Sequence, residues 1–243
     1  MTYCVALRLD RGLIFMSDTR TNAGIDNISK FQKMFTWEVP GERVITILTA
    51  GNLATTQAVI SLLDERLKAP EERNPSIMAA DTMFQVARLV GDTVKEVIRT
   101  QGDGGPESEA AFGATLIVGG QISGMEPRLF LVYPEGNFIE ASDETPFFQI
   151  GETKYGRPIL LRAFSPDMTF EEAVKLLYVS FDSTLMANLS VGMALDLKTI
   201  EKDIYKVTEK RRVEENDPYF TAISSRWGDA LKLAFNSLPD YEF

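Results

Sequence analysis

Thr2, Asp18, Lys33 and Gly51 are the residues of this chain whose types and order compose a hydrolytic set. The sequence contains no histidine, which removes the usual general base and the commonest zinc ligand. A hydroxyl nucleophile therefore needs another base. Position 2 offers one, because methionine aminopeptidases act where the second residue is small. Removal of Met1 would leave Thr2 with a free α-amine, whose ordinary pKa of about 7.7 to 8.0 leaves a useful unprotonated fraction at neutral pH. That amine can take the proton from the hydroxyl of its own residue.

The other three residues are read from local pattern. Tyr3, Val5, Leu7 and Leu9 alternate with Cys4, Ala6 and Arg8, which is strand periodicity; "DRG" offers a tight turn, and "LIFMSD" resumes as a second strand. With the turn centred on Arg11, residues whose numbers sum to 22 face one another. Asp18 then lies opposite Cys4 and on the face of Thr2, and Arg20 lies opposite Thr2; a register shifted by one reverses the face. In "SKFQKMF", strand alternation sets Lys33 on one face with Phe31 and Phe35, so its ammonium requires an anion if that face is buried, for which Asp18 is a candidate, whereas a lysine snorkelling to the surface needs none. Such a lysine lowers the pKa of a neighbouring amine and hydroxyl. Lys30 competes for this place. In "LTAGNLATT" a buried strand breaks at Gly51 into a helix beginning near Asn52, where unpaired N–H groups at the positive end of the helix suit an oxyanion. A glycine needed only for the turn gives the same pattern.

The elements that must position these residues are mostly short strands. Further candidates are "MFTWEV", "RVITILTA", "ATLIVGG", "RLFLVY", "NFIEA", "FFQIG", "MALDL" and "DIYKVTE". Turn-sized gaps between them favour antiparallel pairing. Helical spacing is expected from Asn52 to Lys68, from Ser76 to Thr100, over "TFEEAVKLLYVSFDSTL" with Thr169 and Glu172 as a capping box, and over "DPYFTAISSRWGDALKLAF" with Pro218 in its first turn. "TQGDGGPESEAAFG" reads as an exposed loop, and "EKRRVEEN" as a solvated edge strand or loop. The alternation of strand groups with helix groups predicts a layered α+β fold in one domain over residues 1–243.

Composition narrows the function. Acidic residues outnumber basic ones by 35 to 25, for a net charge of -10, so long-range repulsion argues against nucleic acid as a partner. No apolar run approaches the roughly 18 residues of a membrane span. A single cysteine, Cys4, excludes an internal disulfide framework and points to a reducing cytoplasm. Neither a metal-ligand cluster nor a nucleotide-binding glycine loop is visible, so no cofactor is expected.

Taken together, "MTYCVALRLD", "SDTRTNAG", "NISKFQKM" and "LTAGNLATTQAV" resemble the β-type proteasome subunits of the N-terminal nucleophile hydrolases, and more closely the bacterial Anbu family, the ancestral β subunit. The likeness continues through "IGETKYGRPIL" and "MTFEEAV" to "SVGMALD". The resemblance implies a four-layer αββα sandwich, with two antiparallel sheets between helix layers, and homo-oligomers in rings or helical assemblies. It implies Thr2 as nucleophile and base, Asp18 and Lys33 as charge partners, Gly51 as oxyanion donor and Arg20 as support, with Thr21 and Thr49 lining a small polar pocket for the substrate side chain. Two positions depart from the proteasome pattern. Glu152 stands where a helper serine is expected. "ANLSVG" keeps Ser190 but offers Asn188 or Ala187 in place of an aspartate. Three functions follow from these readings: a peptide hydrolase acting through an acyl-enzyme on Thr2, an assembly protein whose proteolysis is weak or lost, and an amidase for small amides. Whether an ATPase partner delivers the substrate is left open by the sequence.

Overall fold

The computed structural model describes residues 1–22, 28–68, 75–101 and 111–242. Its opening hairpin joins β1 (Tyr3–Leu9) to β2 (Gly12–Asp18). Leu9 pairs with Gly12 and Cys4 with Ser17, so the loop is the two residues Asp10 and Arg11, and facing residues sum to 21. The expected register is therefore off by one. The reason lies at Gly12, which belongs to the ladder rather than to the turn: its φ is 140°, and a Cβ there would lie 2.1 Å from the Ile200 carbonyl oxygen. It is glycine because a neighbouring strand crosses close to it.

That neighbour is β11 (Leu195–Glu201), and the first sheet runs β10-β1-β2-β11-β12, with β10 at Phe147–Gly151 and β12 at Glu209–Val213. The second sheet runs in chain order through β5 (Met34–Val39), β6 (Arg43–Gly51), β7 (Ala114–Ile122), β8 (Arg128–Val132) and β9 (Phe138–Glu140). All pairings in both sheets are antiparallel. A small hairpin of β3 (Arg20–Asn22) and β4 (Ile28–Lys30), which periodicity does not reveal, links the sheets.

Three apolar layers hold these elements together. Cys4, Ala6, Leu13 and Phe15 of the first sheet meet Met34, Val44, Leu48 and Ile117 of the second. The opposite face of the second sheet is covered by α1 (Leu53–Lys68) and α2 (Met83–Gln101), through Val59, Leu63, Val90 and Val94. The opposite face of the first is covered by α3 (Arg157–Ala163), α4 (Phe170–Ala187) and α5 (Pro218–Asn236), through Leu160, Leu177, Phe181 and Phe220. The αββα order expected from the sequence is the order found, with five helices among the described residues.

Several boundaries differ from expectation. α2 begins at Met83 rather than Ser76, because Ser76 closes a turn with Met78 and Ala79 while Thr82 caps the helix through the Gln85 N–H. α3 was not anticipated; it is one short segment, with Pro158 in its first turn. "DIYKVTE" is not a strand, since Asp203 and Tyr205 adopt φ of 66° and 54°, and the strand is instead the charged edge β12. The capping box of α4 forms as read, and Asp217 caps α5 before Pro218. The glycine-rich loop lies largely outside the described residues.

Replacing Gly12 by alanine forces both a disfavoured φ and a clash with β11. It is expected to lower the unfolding free energy by about 1 to 3 kcal/mol, read from the urea midpoint.

Candidate active site

The end of the β1–β2 hairpin is held by a side chain. The Tyr3 N–H donates to Asp18 Oδ1 at 3.0 Å, where the next ladder bond would otherwise fall. The same oxygen receives the Lys33 ammonium at 2.7 Å, and Oδ2 receives the Gly192 N–H at 3.4 Å. Asp18 is 0% and Lys33 4% exposed. Burial pushes the Asp18 carboxyl above its ordinary value, against the Lys33 ammonium and the two N–H groups that favour its charged form. Lys33 also donates to the Arg20 carbonyl at 2.5 Å, so both ends of the pair are fixed.

Lys33 reaches this place by a route different from the one expected. It lies between β4 and β5, outside any strand, so alternation with Phe31 and Phe35 does not govern it. Its backbone is instead tied to the second sheet, where the Thr49 N–H donates to the Lys33 carbonyl at 2.9 Å. Lys30 is exposed on β4; the buried partner of Asp18 is Lys33.

Thr2 is half-buried beside this pair. Its carbonyl accepts the Glu152 N–H at 2.6 Å, and Gly151 approaches so closely that a Cβ would lie 2.0 Å from that oxygen, at a φ of 83°. On the other side, the Met1 amine has its pKa lowered by burial and by the charge of Lys33, against the raising influence of Asp18 and Glu152. The amine of the residue that precedes Thr2 thus lies in the field of Lys33, Asp18 and Glu152.

Glu152 is buried at 8% exposure. Its carboxylate accepts from Asn188 Nδ2 at 2.8 Å and from the Lys154 N–H at 3.1 Å, while Asn188 Oδ1 receives the Ser190 N–H at 3.0 Å. Of the two candidates for the missing aspartate position, Asn188 is the one joined to Glu152. Arg20 braces this loop: Nη1 donates to the Leu189 carbonyl at 3.0 Å, and its guanidinium fills the space beside Gly192.

Gly51 is the one exposed residue of β6, at a φ of 112°. A Cβ there would lie 2.4 Å from the Gly113 carbonyl. Asn52 then caps α1 by accepting the Thr55 N–H. The turn reading of this glycine is satisfied by geometry alone, and its connection to the Lys33 region runs through Thr49, two residues earlier in the same strand. Thr49 is buried, with its carbonyl accepting from Cys4 Sγ at 3.7 Å. Thr21 is half-buried on β3, next to the Arg20 carbonyl that Lys33 holds.

A set of buried groups behind the site had no sequence motif. The Tyr3 hydroxyl meets Ser180 Oγ at 2.7 Å and accepts from Gln149 Nε2 at 2.6 Å; Ser180 in turn donates to the Gly156 carbonyl. Burial raises the Tyr3 phenol to about 12, so it remains neutral. It locks β1 to α4 and to the segment that carries Glu152. The one available signal was a tyrosine among buried strand positions, whose hydroxyl must find partners.

The proteasome subunit family matches residues 2–200. A solved Anbu Gly-1 mutant from Hyphomicrobium sp. strain MC1 is 51% identical, with both chains covered over 100% of their length and a TM-score of 0.92. The Anbu complex of Pseudomonas aeruginosa, solved as a helical assembly, is 44% identical over 99% of this chain and 98% of that one, with a TM-score of 0.90. Proteasome subunit beta type-7 of Dictyostelium discoideum is 26% identical over 70% of this chain, which spans 59% of that protein's length. The chain therefore belongs to the proteasome subunit family, and its full-length likeness lies with the Anbu structures.

Proposed function

We propose that the chain, once Met1 is removed, is a threonine hydrolase of peptide or related amide bonds that works within an assembly of its own copies. The observation that carries this reading is the single oxygen of Asp18 that receives both the Lys33 ammonium and the backbone N–H that follows Thr2. That arrangement sets a buried cation beside the residue that would bear the free amine.

In the proposed reaction the Thr2 amine accepts the hydroxyl proton as Oγ bonds to the substrate carbonyl carbon. Lys33 favours the unprotonated amine and the developing alkoxide, and the Gly51 N–H takes the oxyanion. Collapse breaks the C–N bond, the leaving amine takes the proton held by the Thr2 ammonium, and the acyl group remains on Oγ. Water then gives a proton to the Thr2 amine as it bonds to the ester carbon; collapse breaks the C–Oγ bond, Oγ takes that proton back from the Thr2 ammonium, and the acid leaves. In this reading Thr21, Thr49 and Glu152 receive the substrate, and Ser190 assists Thr2. The helical assembly of the Pseudomonas relative supports self-association.

A second reading is favoured by one observation. The Glu152 carboxylate accepts from the Asn188 amide, whose oxygen takes the Ser190 backbone N–H, so the Glu152 and Asn188 side chains are engaged with each other, which suits an assembly protein with little hydrolysis. A peptide library set beside small γ-glutamyl amides separates the peptidase from a small-amide amidase.

The processed protein, its mass first shown to lack Met1, is expected to form a one-to-one adduct with a β-lactone on Thr2, and Thr2→Ala to form none; an unlabelled, correctly processed parent sinks the hydrolase reading. The labelling rate should rise with pH through a midpoint below the 7.7 to 8.0 typical of an α-amine, because burial and Lys33 both act to lower it. Lys33→Met leaves Asp18 buried without its cation. At neutral pH this variant is expected to lose about 3 to 5 kcal/mol of stability. Because the Asp18 carboxyl is raised in the fold and is raised further without Lys33, the deficit should shrink as the pH falls toward the ordinary carboxylate value near 3.9. Urea titrations at several pH values check both the size and the sign.

A further inference from the structure

The chain is acidic as a whole, yet one corner of it is basic. Where β11 and β12 of the first sheet face Gln32 and Met34, Lys198, Lys210, Arg211 and Arg212 border a cavity of 320 Å³ that holds a single carboxylate, Asp196. Two of these cations are already neutralised. Arg212 binds Asp196 through two guanidinium nitrogens, at 2.8 and 2.9 Å, and Arg211 binds Asp217 at 2.6 Å. Among the described residues, Lys198 and Lys210 make no ion pair. The ladder nevertheless sets these two directly opposite one another on one face, an arrangement that costs stability for like charges. Lys198 is half-buried there, and its pKa is lowered by burial and then by Lys210, against Asp196 and Glu38. Of its three donors one is taken, by Thr36 Oγ1 at 2.8 Å. Glu38 is exposed and accepts the Val207 N–H. Further in, Ser17 lies opposite Asp196 on the same face, fully buried, with its hydroxyl unpartnered among the described residues. The corner holds donors and positive charge in excess of acceptors.

We propose that this corner is a binding site for a phosphate dianion, held between the ammonium groups of Lys198 and Lys210. The charge selects the ligand. Two unpaired cations are balanced by one group of charge near -2, and a phosphate monoester carries about -1.5 to -2 at neutral pH together with three acceptor oxygens. A carboxylate brings half that charge. Seated between the lysines, the anion turns their mutual repulsion into two charge-assisted hydrogen bonds. The cavity also leaves room for a small group esterified to the phosphate. A nucleic-acid strand is disfavoured, because the net charge of -10 repels a long polyanion, whereas a single phosphate in the cleft responds chiefly to the charges nearest it. The site is separate from the Asp18–Lys33 pair: Gln32 lies in its wall, while the neighbouring Lys33 donates to Asp18.

The inference depends neither on hydrolysis nor on self-association, so it stands or falls apart from both. Inorganic phosphate is titrated into the full chain by isothermal calorimetry, with acetate at matched ionic strength as the comparison. The expected outcome is one phosphate bound per chain and no acetate over the same range. Lys198→Met and Lys210→Gln should each weaken phosphate binding by about tenfold or more. In phosphate-free buffer Lys210→Gln should keep or raise the parent's thermal midpoint, because the repulsion is relieved; a lysine kept only for structure would lower it when lost. Glycerol phosphate in a parallel titration separates the sources: tighter binding than inorganic phosphate supports the site as one for a monoester, weaker binding supports it as one for the free ion. A parent that binds phosphate no better than acetate overturns the proposal, as does undiminished phosphate binding by the chain carrying both substitutions. If the parent binds no phosphate and the doubly substituted chain loses assembly mass, the two lysines belong to a contact between copies, and the proposal is overturned as well.

Discussion

One buried ion pair organises the candidate site of this protein. Asp18 and Lys33 come from different parts of the chain and meet at 2.7 Å with almost no access to water. Isolated in that interior, either charge would be strongly unfavourable, so each requires the other. What makes the pair more than mutual neutralisation is its remaining valence. Asp18 also takes the Tyr3 and Gly192 N–H groups, and Lys33 also donates to the Arg20 carbonyl. The start of β1, the loop before β11 and the β3 segment are thereby fixed to a single pair of charges.

The order of the layers and the type of most long elements were legible in the sequence, because strand alternation and the Thr169–Glu172 capping box are local signals. The partner of Asp18 was legible too, but through charge rather than through geometry. A lysine among phenylalanines demands an anion wherever its backbone goes, and that demand held although Lys33 is not in a strand. Register was not legible, since a two-residue and a three-residue turn at "DRG" differ only in how Gly12 is used, and its use is decided by β11, some 180 residues later. α3 and the Tyr3–Gln149–Ser180 contacts stayed hidden for the same reason: nothing near them in sequence supplies their partners. The helper positions fall between these cases. Glu152 and Asn188 were visible as departures from a pattern, whereas their bond to each other depends on the loop after α4 turning back, which Arg20 and Gly192 secure.

Thr2 is held asymmetrically. Its carbonyl side is confined by the Glu152 N–H and by Gly151, while toward Met1 the chain is open to solvent. Confinement on one side restricts the backbone dihedrals of Thr2 without closing the path by which a terminal residue would be trimmed or a substrate would arrive.

The charged strand β12 has a consequence for how copies of the chain can meet. Glu209, Lys210, Arg211 and Arg212 project from the border of the first sheet, all exposed. Such a border resists recruiting a foreign strand, because each new rung would have to desolvate ionic groups. Runaway β-stacking along this rim is therefore disfavoured, and the first sheet is closed on that side without any cover from a helix or loop.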